Sequence, residues 1–143
     1  MNTRESDEDR LNQRLVKDII ENAWGVELVA TRTLDPHDFV AYKGQKRKAI
    51  IEVRRRHVTK DTYDDYWISY QKYKQLRLLG EAFEVPVLFF FYFDDGLFYI
   101  DLMMYPYLPT SYGDRGDPEK PRATDNEKVV CIKKDLLKEL KNG

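Results

Sequence analysis

The chain has 143 residues, 42% of them hydrophobic, a composition that fits one domain with one modest core. Its apolar runs fall short of the roughly 18 residues that a membrane-spanning helix needs, and its charged N-terminus lacks the apolar stretch of a signal peptide. A single cysteine excludes an intrachain disulfide and zinc sites built from several thiolates, so we expect a cytoplasmic protein without a membrane partner.

The net charge of -1 hides an uneven distribution of charge along the chain. Between Lys43 and Lys60, eight basic residues stand against one acidic residue, Glu52, which gives this segment a local net charge of +7. Such a segment can neutralise phosphates, although a solvated turn followed by a basic strand end accounts for the same residues. The candidates for contact with nucleic acid are Lys43, Lys46, Arg47, Arg55, Arg56 and Lys60.

The N-terminal third predicts one helix and three strands. Apolar residues at spacings of four predict an amphipathic helix over residues 10–24 that ends at Gly25; they are Leu11, Leu15, Ile19 and Ala23. Strands are predicted over residues 26–33, 38–42 and 48–54, with a turn at residues 43–45. Because side chains alternate along a strand, we expect Ile50, Glu52 and Arg54 to share one face of the third strand.

The rest of the chain predicts a second helix and a hydrophobic hairpin. Ser69 is a candidate N-cap, followed at helical spacing by Tyr70, Tyr73, Leu76, Leu79 and Phe83. The run VLFFFYF at residues 87–93 predicts a central strand covered on both faces, which turns at Asp94 to Gly96 into a strand at 97–102. A long loop over residues 103–128, a strand at 129–132 and a short helix at 134–140 complete the prediction. This order favours a single α/β domain over residues 1–143, with a mixed sheet flanked by helices.

Asp38 and Glu52 form a candidate metal site. They lie on successive predicted strands, close enough along the chain to reach a common face of the sheet. Mg²⁺ or Mn²⁺ takes oxygen ligands and often uses only one or two protein carboxylates. Arg54 lies two residues beyond Glu52 on the same face, where a cation suits phosphodiester hydrolysis by cancelling negative charge on the phosphorus centre.

These residues and their context resemble the PD-(D/E)XK nuclease superfamily, especially its small phage-type and Holliday-junction-resolvase-like members. The resemblance covers residues 10–102, through the order of elements and the stretches HDFVAYKG, AIIEVRRR, WISYQKY and VPVLFFFYFDDGLFYIDL. It implies a restriction-endonuclease-like fold and a metal held by Asp38, Glu52 and the backbone carbonyl of Val53. It also implies an assisting acid on the first helix, where Glu8 and Asp9 lie early and Asn12 or Gln13 occupy the expected turn.

Two features depart from the family pattern. Pro36 and Asp38 are separated by His37, and Arg54 stands where the family has a lysine. Arginine stays protonated at ordinary pH, so Arg54 can stabilise negative charge or grip phosphate but cannot take a proton from water. Three alternatives follow: the metal alone activates water, Lys72 on the following helix supplies an amine, or the site no longer cleaves.

Each candidate also has a simpler interpretation. Asp38 fits a turn acid, with Asp35 as the ligand in its place, whereas Glu52 lies among apolar residues and needs a partner that Arg54 could supply as an ordinary salt bridge. Tyr70 and Tyr73 fall on the apolar stripe of the second helix. The candidates for base stacking are therefore the tyrosines of the long loop, namely Tyr105, Tyr107 and Tyr112.

The leading hypothesis is a divalent-metal-dependent deoxyribonuclease, phage-encoded and acting on branched or processed DNA in the host cytoplasm. Its catalytic residues would be Asp38, Glu52, Arg54 and Lys72. The second hypothesis is a catalytically degenerate nuclease fold that binds nucleic acid or a protein without cleavage. The third is a purely structural homodimer module that uses the VLFFFYF sheet or the tyrosine-rich loop.

Overall fold

The computed structural model describes residues 7–30, 38–112 and 127–141. Within these ranges there are two α-helices, α1 (Asp7–Trp24) and α2 (Tyr70–Phe83). The same described residues form nine strands: β1 (Glu27–Ala30), β2 (Asp38–Lys43), β3 (Lys46–Arg55), β4 (Asp65–Ser69), β5 (Val87–Phe93), β6 (Gly96–Asp101), β7 (Thr110–Tyr112), β8 (Lys128–Lys133) and β9 (Lys138–Glu139). No helix within the described ranges is long and apolar enough to cross a membrane.

A six-stranded mixed sheet forms the centre of the fold, in the order β1-β2-β3-β5-β6-β9. The β2–β3 and β5–β6 hairpins are antiparallel, and β3 pairs with β5 in parallel. The second sheet has three antiparallel strands in the order β4-β8-β7. The expectation of a mixed sheet flanked by helices is confirmed, whereas the second sheet was not predicted.

The two faces of β3 belong to different cores. Ile51 and Val53 pack with Val16 and Ile20 of α1 in one cluster. Ile50 lies in the other cluster, which the second sheet and α2 cover. Because side chains alternate along β3, Glu52 shares the Ile50 face and points away from α1, as the alternation predicted.

The predicted apolar stripe of α1 is wrong at Leu11 and Leu15, whereas Ile19 packs partly buried against the core. Leu11 and Leu15 are 65% and 45% exposed, whereas Val16 and Ile20 are fully buried. The helix begins at Asp7, earlier than predicted, and ends where Gly25 adopts φ +64° and donates its N–H to the carbonyl of Glu21. Spacing by four alone did not identify the buried side, because several apolar stripes are available on this helix.

The C-terminal third departs most from prediction. The predicted loop at 103–128 contains β7 and a short 3-10 turn, Leu102–Met104, while residues 113–126 lie outside the described part of the chain. The predicted helix at 134–140 is wrong: a 3-10 turn, Lys134–Leu136, leads into β9, which pairs with β6. Because Lys138 and Glu139 pair with the outer edge of β6, this segment is extended rather than helical. The predicted strand at 26–33 is described only over Glu27–Ala30.

Candidate active site

Glu52 carries a charge into the interior of the protein. It lies near the middle of β3, where its Cα partners are Asp38 on β2 and Phe89 on β5. It is 0% exposed, and it is the one charged residue among the buried residues that the structure describes. A buried carboxylate is costly unless cations or hydrogen bonds compensate it, so its surroundings decide what it can do.

Two cations contact the two oxygens of this carboxylate. Lys72 Nζ lies 3.3 Å from Glu52 Oε1, and Arg54 Nη2 lies 3.4 Å from Glu52 Oε2. The Lys72 side chain is 15% exposed and that of Arg54 is 45% exposed. The lysine therefore lies on the enclosed side of the carboxylate, and the arginine lies at the boundary with solvent.

The start of α2 places Lys72 at this position. Ser69, the last residue of β4, caps the helix through its Oγ, which accepts a hydrogen bond of 3.3 Å from the Lys72 backbone N–H. The strand thus passes directly into the helix, and the capped first turn presents Lys72 towards β3. The Ser69 cap was predicted from the sequence, whereas β4 was missed. Alternation of the buried Tyr66 and Ile68 is the signal that would have revealed this strand.

Arg54 lies over aromatic surface as well as beside Glu52. Its guanidinium carbon lies 5.7 Å from the centroid of the Phe89 ring, which is buried on β5. This cation–π contact holds one side of the guanidinium against the Phe89 ring, while nearly half of the Arg54 side chain stays exposed to solvent. Arg54 is therefore held by two contacts and still free to meet an anion from solvent.

Position 38 lies directly opposite Glu52 in the antiparallel β2–β3 ladder. Directly paired residues of such a ladder share one face of the sheet, with Cβ atoms roughly 5 Å apart. The backbone therefore meets the condition that the prediction for Asp38 requires, while the Asp38 side chain lies outside the described part of the structure. Asp35, the alternative ligand, also lies outside it, together with Pro36 and His37.

The predicted metal ligands fit a hard divalent cation by their chemistry. Glu52 offers a buried, oriented carboxylate, and the carbonyl of Val53 belongs to the next peptide unit of the same strand. Among the side chains that the structure describes, no group of three or more His, Cys, Asp or Glu residues could hold a metal ion. A site here would therefore depend on Glu52, the carbonyl of Val53, position 38 and water, a set that Mg²⁺ tolerates because it commonly keeps several waters.

The acid expected from the first helix is not identified. Val16 and Ile20 pack α1 against the face of the sheet opposite to Glu52. Glu8 is exposed, and the side chain of Asp9 lies outside the described part of the structure. Asn12 Nδ2 is buried and has no hydrogen-bond partner among the described residues, and Gln13 lines a surface groove beside Phe39. Neither Asn12 nor Gln13 is an acid.

The basic segment is divided by the length of β3. Lys43, Lys46 and Arg47 are exposed around the β2–β3 turn. From Lys46 to Arg55 the strand advances about 30 Å, so the turn and the far end of the strand present two separate basic surfaces. The predicted binding segment is therefore not one compact patch along β3.

The far end of this segment makes several contacts within the protein. Arg55 donates to the carbonyl of Tyr92 at 2.9 Å and pairs with Asp94 at 2.7 Å. The Arg56 guanidinium lies 5.7 Å from the Tyr66 ring, and Lys60 Nζ lies 5.4 Å from the Phe98 ring. These contacts differ from the simpler interpretation of a solvated strand end, because Arg55 and Arg56 contact groups of the protein, and the predicted phosphate contacts stay predictions.

The tyrosines divide as the sequence indicated except at Tyr105. Tyr73 is buried and Tyr70 packs against the same core, as does the stacking candidate Tyr105, while Tyr107 and Tyr112 are 91% and 64% exposed. The third hypothesis, a dimer module on the VLFFFYF sheet, stays a prediction, and the phenylalanines of this strand are not available for such an interface. These residues are buried within one chain at 0–1% exposure; they are Phe89, Phe90, Phe91 and Phe93.

Comparison with known proteins identifies the fold and the family of the chain. A Holliday junction resolvase, Hjc of Archaeoglobus fulgidus, superimposes with a TM-score of 0.54 at 15% sequence identity, covering 92% of this chain and 87% of that one. At this identity the similarity shows the shared fold. No curated protein matches the sequence. The family described as "Phage putative PDDEXK endonuclease" matches residues 2–140. This match spans nearly the whole chain, which therefore belongs to that phage PDDEXK endonuclease family.

Proposed function

We propose that the protein is a divalent-metal-dependent DNA endonuclease in which Lys72 takes the part of the missing strand lysine. The observation that carries this proposal is the contact of 3.3 Å between Lys72 Nζ and the fully buried carboxylate of Glu52. Membership of a phage endonuclease family supports the reaction class and a setting in the host cytoplasm.

The metal ligands in this proposal are the carboxylates of Asp38 and Glu52 and the backbone carbonyl of Val53. When bound, Mg²⁺ or Mn²⁺ supplies an activated water and neutralises charge on the phosphodiester. The ladder that pairs position 38 with Glu52 supports this ligand set. The burial of Glu52 keeps bulk water from competing with the cation for the carboxylate.

Lys72 and Arg54 would divide the work of one motif lysine. Lys72 Nζ would take up the proton that the attacking water loses, a step that an arginine cannot perform, and its 3.3 Å contact with Glu52 Oε1 and its low exposure hold the amine in position. Arg54 keeps its proton, so its contribution is electrostatic: it would hold a phosphate oxygen at the solvent boundary and stabilise the charge that develops there. The exposed cations at the β2–β3 turn, Lys43, Lys46 and Arg47, would contact the DNA backbone at a distance from the reaction.

Cleavage assays test this proposal directly. The protein is incubated with duplex, branched and single-stranded DNA in Mg²⁺, in Mn²⁺ and in EDTA, beside the variant Glu52→Gln. We expect metal-dependent cleavage of at least one substrate by the native protein and none by the variant. Absence of cleavage on every substrate in both metals would refute the proposal.

One observation favours the second candidate function, a nuclease fold that binds DNA without cleaving it. Both oxygens of Glu52 already contact a cation of the protein, so its charge is compensated without a metal ion. A degenerate site of this kind predicts binding that weakens with salt, intact DNA in both metals and unchanged affinity in Glu52→Ala.

A further inference from the structure

Helix α2 carries a second surface, made of aromatic and basic residues, on the side away from Glu52. Tyr70, Lys74 and Arg77 follow one another at spacings of four and three, and Lys74 projects roughly 200° around the helix from Lys72. Together with Pro106 they line a cavity of about 230 Å³. This volume is below the roughly 300–1,000 Å³ of pockets that enclose whole small molecules, and it suits a single planar group.

Lysines flank the aromatic ring at this surface. Lys128 Nζ lies 4.2 Å from the centroid of the Tyr70 ring, and Lys74 Nζ lies 5.4 Å from it. Neither lysine forms an ion pair with a carboxylate of the described residues, whereas the other cation, Arg77, donates to the carbonyl of Leu102 and lies near Glu81. The local charge is positive, so the surface is complementary to an anion rather than to a neutral apolar partner.

Two exposed tyrosines extend the surface beyond the cavity. Tyr112 pairs with Lys128 in the β7–β8 ladder, which places both on the same face of the second sheet. Tyr107 follows Pro106 and is 91% exposed. The backbone beside it is fixed, because the buried Tyr73 donates its hydroxyl to the carbonyl of Tyr105 at 2.6 Å.

We propose that this tyrosine–lysine face, formed by Tyr70, Lys74, Tyr107, Tyr112 and Lys128, binds an unpaired stretch of DNA. Aromatic rings stack on bases whose faces are free, which a paired duplex does not offer, while the lysines meet the phosphates. The inference rests on the proposed function, because the bound DNA would be the substrate of the proposed nuclease. Its α2 residues, Tyr70 and Lys74, lie across the helix from Lys72, about one helix diameter or roughly 10 Å away, so the substrate class would be DNA with a single-stranded part next to the cleaved bond.

Binding in EDTA tests the inference without cleavage. Fluorescence anisotropy compares a labelled oligothymidylate with a blunt duplex of equal length, using the full chain. We expect Tyr107→Ala to weaken binding of the single strand by at least about fivefold and Tyr107→Phe to preserve it, because the ring supplies the stacking. The affinity falls as salt rises, and the double variant Lys74→Gln with Lys128→Gln should make this dependence weaker. The negative slope of log affinity against log salt should be smaller in magnitude by about 1.4.

Two controls separate this face from general surface effects. Met104→Ala removes an exposed apolar side chain close by in the sequence, and Lys138→Gln removes an exposed charge on β9; both should bind like the native protein. Equal affinity of native protein and Tyr107→Ala for the single strand would overturn the inference, as would equal losses on the blunt duplex. Tyrosine-dependent binding without cleavage in any metal would uphold this inference and refute the proposed nuclease activity, so the two failures are distinguishable.

Discussion

Lys72 and Glu52 are twenty positions apart in the chain, yet Lys72 Nζ lies 3.3 Å from Glu52 Oε1. The contact joins the first turn of α2 to the middle of β3, and it brings an amine to a carboxylate whose neighbour two residues along the strand is an arginine, Arg54. Arg54 is the neighbour in sequence, but Lys72 is the more enclosed partner.

The division of labour between the two cations predicts unequal losses of activity. Lys72→Met should lower the cleavage rate about 100-fold or more, because the group that holds the proton is removed; Arg54→Gln should lower it roughly tenfold. Single-turnover cleavage at saturating metal measures both rates. A larger loss in Arg54→Gln than in Lys72→Met would contradict the assignment.

The same pair makes a prediction about stability. Lys72→Met leaves the buried carboxylate with one fewer cation and should cost about 1–3 kcal/mol of unfolding free energy. Adding Glu52→Gln to Lys72→Met should recover part of this loss, since no buried charge is then left to compensate. Urea denaturation of the native protein, both single variants and the double variant completes the cycle. Strictly additive effects would show that the contact carries no coupling energy.

Metal binding should be visible without any DNA. A divalent ion at ten times its dissociation constant stabilises a protein by about 1.4 kcal/mol, which raises the melting temperature by about 5 °C for a chain of this length. Thermal unfolding with and without Mn²⁺ should show this rise in the native protein. The rise should be absent in Glu52→Gln and unaffected by Glu139→Gln, which changes an exposed carboxylate on β9.

Glu21 fastens α1 to the sheet and makes stability depend on pH. The Leu28 backbone N–H donates a hydrogen bond of 2.8 Å to Glu21 Oε2. This bond is the main cause that lowers the pKa of the Glu21 carboxyl from its ordinary 4.5. Lys17, 3.1 Å away, also lowers this pKa, whereas burial raises it. A lowered pKa means that the stabilisation is complete above pH 4.5 and is lost as the pH falls through the lowered value. Glu21→Gln should therefore cost about 1–2 kcal/mol at pH 7, and the difference from the native protein should shrink at pH 3.

Gly80 reverses the usual effect of replacing glycine in a helix. Alanine normally stabilises a helix interior by about 1 kcal/mol. A Cβ at position 80 would lie 2.7 Å from both Met103 Sδ and Val87 Cγ2, closer than packed atoms approach. Gly80→Ala should instead destabilise by about 1–3 kcal/mol, measured by chemical denaturation. The double variant Gly80→Ala with Met103→Ala should regain part of the loss.

Local patterns were sufficient to predict much of the sheet. The VLFFFYF strand was predicted with its exact bounds because its ends are marked by Pro86 and by the Asp94–Asp95 turn. The placement of Glu52 on the face opposite Val53 followed from alternation alone. Local sequence is sufficient to predict a strand where turn residues mark its ends and its apolar residues follow a single clear pattern.

Prediction failed where distant pairing decides the outcome. The two residues of β9 form a strand only because the edge of β6 accepts them, and β7 exists through its pairing with β8. The contact between Lys72 and Glu52 is of the same kind: Lys72 was one of three alternatives for the missing lysine, and only the tertiary fold brings it to the carboxylate. The roles of Asp38, Val53 and the basic residues stay predictions.

The parallel pairing of β3 with β5 ties formation of the site to the order in which the chain folds. Each of the two hairpins, β2–β3 and β5–β6, closes through contacts between neighbours in sequence, whereas Ile50 must find Val87 across 37 positions. Closing that long connection is entropically costly and slow compared with hairpin formation. Lys72 lies within this connection, so the step that docks the two hairpins also carries the amine to Glu52. Partly folded chains with both hairpins formed but undocked would therefore lack the contact, and the site would arise only when β3 pairs with β5.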